Sequence, residues 1–99
     1  MSGLFELGVI HYTHSVVVIV SVSPSFLEHI EFILGMHLQG HWGDVSETVS
    51  DLSDFGLITG TSVTSYYDLV EEFEPLGESL IITTDLQLEV TVIDLSEGH

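Results

Sequence analysis

Two histidines four residues apart, His37 and His41, stand just ahead of Asp44 in the stretch "HLQGHWGDVSE". On one helix that spacing would put both imidazoles on the same face, and the nearby carboxylate could complete a ligand set suited to zinc. Gly40 and Gly43 interrupt such a helix, however, and no Glu follows His37 as the metalloprotease pattern requires. The plainer reading is a satisfied, partly buried His37 and a solvent-facing His41. A second pair, His11 and His14 in "HYTH", joins a metal site only if folding brings it close. Asp44 and Glu47 could serve as a paired acid and base. They fit better as the cap of a following helix and the returning half of a capping box. Trp42, the one tryptophan, reads as a packing residue at a corner, because stacking on bases normally comes with a basic groove.

Other chemistries find less support. The chain has no Gly-x-Ser-x-Gly elbow and no Gly-rich loop ending in Lys. It has no cysteine, hence no thiolate and no disulfide framework. Without Lys, Arg or Cys, an oxyanion or phosphate clamp would fall to backbone N–H groups or to a metal. The expectation is a non-enzymatic domain with no cofactor. The most acidic segment, "DLVEEFEPLGE" (68–78), interleaves Glu71, Glu72 and Glu74 with Phe73 and aliphatic residues. That alternation suits docking on a basic protein with apolar pockets; the plainer reading is a solvated loop covering a sheet edge.

These residues must be positioned by a single domain, since the chain has 99 residues and is 44% hydrophobic, enough for a core. It holds 16 acids and no Lys or Arg, for a net charge of −16. Yet only 16% of residues are charged, against roughly 25% in typical domains. The anomaly is therefore missing cations, not surplus anions. Ala and Asn are absent as well, which points to an alphabet restricted by design or by selection. Direct nucleic-acid binding is excluded by charge. A nucleic-acid mimic that blocks a basic protein is an alternative, though mimicry needs carboxylates placed as densely as phosphates. The longest apolar run, "VVVIV" at 16–20, is too short for a bilayer, which needs about 20 residues. With no basic, signal-like opening, a cytoplasmic protein away from membranes is expected.

Along the chain, 4–13 reads as a strand anchored by Leu7 and Ile10. Ser23-Pro24 starts a helix, with Ser25 and Glu28 as a possible capping box. Phe26, Ile30, Ile33 and His37 form its apolar stripe with Leu27, Leu34 and Leu38, and Gly40 closes it. Ser46 can cap a second helix, in which Val49, Leu52, Phe55 and Gly56 share a face and Gly60 follows the end. Residues 61–67 read as a strand, and 79–95 as two strands around a turn near Asp85 to Gln87. The fold class is α+β: a small antiparallel sheet of three to four strands with two or three helices packed on one face.

The same residues resemble the small "plasmid-related" proteins of bacterial plasmids and mobile elements. "FELGVIHYT" is similar to that family's opening, "HLQGHWGDVSE" to its most diagnostic segment, "VTSYY" to its Ser–Tyr strand and "IITTDLQLEVTV" to its hairpin. Departures are plain: His41 stands where the family has an acid, and Thr84 to Gln87 replace a turn that ends on Arg, so no function of that Arg carries over. The resemblance implies a helix at 15–22, where "SVVVIVSVS" by local propensity reads as a strand. β-Branched residues cost only about tenths of a kcal/mol each in a helix, and the helix is preferred.

Overall fold

The computed structural model describes residues 5–44, 47–68 and 79–96. Strand β1 (Val9–Tyr12) leads into helices α1 (His14–Val22) and α2 (Pro24–Leu38), followed by α3 (Glu47–Thr59) and strands β2 (Ser62–Asp68), β3 (Ser79–Asp85) and β4 (Val90–Ser96). The four strands make one sheet in the order β1-β4-β3-β2. β2, β3 and β4 pair antiparallel, as expected, while β1 joins β4 in parallel and makes the sheet mixed. That parallel pairing joins residues some eighty positions apart, beyond the reach of any local signal.

Alternation along the strands sets the core. Val63, Ser65 and Tyr67 on β2, Leu80, Ile82 and Thr84 on β3, and Thr91, Ile93 and Leu95 on β4 are all buried, and the register aligns them on one face. Helices α1 and α2 cover that face. Phe26, Ile30, Ile33 and Leu34 from α2 and Val16 from α1 pack on Leu80, Ile82, Ile93 and Leu95. The apolar stripe of α2 is therefore the one its spacing indicates, with His37 buried at its end.

The run 14–22 is helical despite its β-branched content. Val16 is fully buried, and Ile19 and Val20 pack against the core, so burial offsets the small propensity cost. At the junction Pro24 takes the first position of α2 and Ser23 is its cap residue. Ser25 therefore lies inside the helix rather than capping it, its hydroxyl 3.3 Å from that of Ser23. The turn between β3 and β4 is fixed by the Asp85 carboxylate, which accepts the N–H groups of Gln87 and Leu88.

Helix α3 departs from expectation. Leu52 and Phe55 lie on its exposed side, and the helix meets β2 through the small residues Ser53 and Gly56. A Cβ at Gly56 would sit 1.8 Å from the Ser62 carbonyl oxygen, so only glycine allows this approach. The Ser46 cap and the acidic segment with Glu71, Glu72, Phe73 and Glu74 lie outside the described residues.

Candidate functional site

The corner after α2 was the strongest candidate for chemistry, and its residues part company there. His37 points into the core, fully buried, with its two ring nitrogens 2.5 Å from the Ser65 hydroxyl and 3.0 Å from the Thr84 hydroxyl. Thr84 in turn lies 2.8 Å from Thr91, whose hydroxyl donates to the Leu7 carbonyl at 2.6 Å. Each hydroxyl has one proton to give, which orders the whole chain of bonds. Thr91 spends its proton on Leu7, so Thr84 donates to Thr91. The Nε2–H of His37 must then donate to Thr84, leaving Nδ1 to accept from Ser65. The ring is a neutral Nε2–H tautomer. Burial pushes its pKa down to about 4, which agrees. Phe5 meets the ring edge-on at 5.2 Å and Trp42 at 5.6 Å.

Ser65 and His37 thus hold the relation of a nucleophile to its base. Both are fully buried, however, and the network ends on a backbone carbonyl. A substrate has no path to that hydroxyl without opening the core. The pair is a satisfied polar network inside an apolar interior.

The residues after His37 turn outward and run along β2. Trp42 is buried and its indole N–H donates to the Asp54 carboxylate at 2.8 Å, fastening the corner to α3. Tyr66 N–H donates to the Trp42 carbonyl at 3.0 Å, and Asp44 N–H to the Tyr66 carbonyl at 2.6 Å. The Asp44 carboxylate then accepts Asp68 N–H at 3.0 Å. Farther along, the Ser53 hydroxyl accepts Thr64 N–H at 3.1 Å and donates to the Thr64 carbonyl at 2.8 Å. From Thr64 to the Asp68 N–H, the polar groups that β2 turns away from β3 are therefore met in sequence by helix and corner. An open strand edge invites pairing with other chains; this one is closed. Gly43 permits it: at φ +84° its Cβ would lie 2.0 Å from the Tyr66 carbonyl oxygen.

His41, Asp44 and Glu47 do share a place. They line an open pocket of about 700 Å³ with Met36, Trp42, Ser50 and Tyr67. The Tyr67 hydroxyl donates to the His41 carbonyl. Burial pushes the Tyr67 phenol above its ordinary pKa, and the Asp44 charge adds to the rise. The trio His37, His41 and Asp44 is not assembled as a metal site, because both His37 nitrogens are engaged on the core side. Among the described residues, no group of three or more His, Asp or Glu side chains could hold a metal ion. Asp44 serves the sheet edge instead of the ligand role considered for it. Sequence reasoning missed Ser65, Thr84 and Thr91 as partners of His37, and only the alternation of 62–68 and 79–85 hinted that they point inward.

No family model, curated protein or solved structure matches the chain. Any functional reading therefore stands on the residues and their geometry.

Proposed function

We propose that this protein is a non-enzymatic acidic domain that acts by binding a basic protein. The observation that carries the reading is the charge: 16 acids and no Lys or Arg, so every ionic contact with a partner has to be met by a cation from the partner's side. The sealing of Ser65 and His37 in the core supports a non-catalytic role, since the most reactive-looking pair is spent on packing. On this reading the chain is a reduced-alphabet version of a mobile-element protein working in the cytoplasm, the setting that the resemblance of "HLQGHWGDVSE" suggests.

A mimic of nucleic acid is the weaker alternative. Several carboxylates are committed to internal bonds at separate places: Asp54 to Trp42, Asp68 to Ser79, Asp94 to Thr13 and Asp85 to its own turn. Carboxylates used this way do not form two phosphate-like rows. Affinity capture with a panel of purified basic proteins, repeated with competing duplex DNA, tests the reading. Salt-sensitive capture that DNA leaves intact is the expected result. Displacement by DNA would favour the mimic, and no capture at about 0.15 M salt would contradict both.

A further inference from the structure

The outward side of α3 is the least satisfied surface among the described residues. Leu52, Phe55 and Ile58 recur at i, i+3 and i+6 and are 64%, 64% and 83% exposed. Three large apolar residues in a row on one helix are unusual on a surface that must stay soluble. The helix cannot roll to hide them. Its approach to β2 is fixed by Gly56, which tolerates no Cβ against Ser62, and by the Ser53 hydroxyl that holds both polar groups of Thr64. The stripe is thus turned outward by the same contacts that close the sheet edge.

Its border is acidic. Glu47 and Asp51 are exposed on the same helix, Asp51 lying between Phe55 and Ile58 around the axis at 3.6 residues per turn. Two hollows flank α3. The larger contains Asp44, Glu47 and Ser50; the smaller, about 260 Å³, is lined by Leu52, Ser53, Ser62, Thr64 and Tyr66. A second copy of this chain would bring the same acids to that border and no cation to meet them. Charge complementarity selects a different occupant.

We infer that the outward face of α3 docks an amphipathic, cationic segment of a partner protein. The partner's apolar side chains lie on Leu52, Phe55 and Ile58, with one entering the hollow beside Leu52 and Tyr66. Its Lys or Arg side chains reach Glu47 and Asp51. This is the helix-in-groove manner of recognition with the charges fixed in sign. The inference rests on the proposal of a basic partner and adds the surface and the partner's pattern.

The test uses the full chain and three synthetic peptides, in calorimetric titrations at about 0.15 M salt. One is a Leu/Lys sequence with apolar residues at helical spacing, one has the same composition scrambled, and one has Glu in place of Lys. The patterned Leu/Lys peptide is expected to bind at least about tenfold tighter than the scrambled one, and the Glu peptide not at all. The double variant Phe55→Ser, Ile58→Ser should erase that preference, and Asp51→Ser should weaken it. Phe32→Ser, at an exposed apolar site on α2, should leave it unchanged. Equal binding of both Lys peptides, or a preference surviving in the double variant, overturns the α3 surface while leaving a basic partner in place. Failure of every cationic peptide to bind removes the basic-partner reading as well. Dimerisation or binding to uncharged vesicles that Phe55→Ser abolishes would also overturn the inference, by assigning the stripe to another occupant.

Discussion

His37 is the residue on which most of the interior turns. Its ring is fully buried and held as a neutral donor and acceptor between Ser65 and Thr84. In the unfolded chain the same ring has an ordinary pKa of 6.5, against about 4 when folded. The unfolded state therefore takes up a proton first as pH falls, and stability is lost between those two values. Stability from this group is complete above about pH 6.5 and is down by about 3 kcal/mol once the pH has fallen to the folded value. Urea unfolding of the parent and of His37→Gln should show this directly. The variant is less stable at pH 7.5, because glutamine fills the ring's place poorly, but its stability should fall less between pH 6.5 and 4.5. Parallel pH profiles for the two proteins would remove His37 as the source. That His37 is buried was legible from its place on the α2 stripe. Its partners were not, since Ser65 and Thr84 lie 28 and 47 residues away and a hydroxyl on a strand carries no address.

At the scale of elements, the corner from Gly40 to Asp44 acts as a cover for β2. Its glycines and carboxylate spell a helix–helix joint, and the joint exists, but its backbone is also paired with Tyr66 and its Asp44 carboxylate with the Asp68 N–H. Edge pairing of a loop leaves no period in the sequence, which is why this part stayed hidden. Gly43→Ala combines a strained φ with a clash on the Tyr66 carbonyl, and should cost about 3 kcal/mol in chemical denaturation. A loss under about 0.5 kcal/mol, within the range of ordinary surface changes, would mean that the edge is not closed in this way. α1 makes the opposite point. Local propensity favours a strand there, and burial of Val16 overrides it. The half-exposed Val18 gains little from burial while keeping its helix penalty, so Val18→Ala should raise stability by about 0.5 kcal/mol. Destabilisation on that change would speak for strand structure at 14–22. In α3 the face shared by Leu52, Phe55 and Gly56 turns inward at Gly56 and outward at the two large residues, because close approach through Gly56 outweighs the burial that Leu52 and Phe55 would gain.

For the whole molecule, the absence of Lys and Arg sets the electrostatics. With a net charge of −16 and no internal cation, the folded chain repels itself, and compact packing concentrates that repulsion. Screening relieves it, so the melting temperature should climb as ionic strength rises from about 0.01 to 0.15 M. A flat or falling profile would show that the acids are neutralised by other means. The α+β class, a sheet of three to four strands and the helix α2 over it were legible because alternation and helical spacing survive a reduced alphabet, whereas α1 was indicated only by the family resemblance. The parallel docking of β1 on β4 was not, because it is decided by which sheet edge remains open once β2, β3 and β4 have paired. Among the described residues, the buried hydroxyls of Ser65, Thr84 and Thr91 and the His37 ring are taken up by bonds within the fold.

That division between an architectural corner and a functional surface can be tested at one imidazole. Nitrogen chemical shifts of His37, followed by NMR from pH 8 to pH 5 with and without zinc, report tautomer, charge and ligation together. The structure predicts a neutral Nε2–H ring throughout, unchanged by the metal. A ring that titrates near pH 6.5, carries its proton on Nδ1 or shifts on adding zinc would contradict it and return the corner to chemistry.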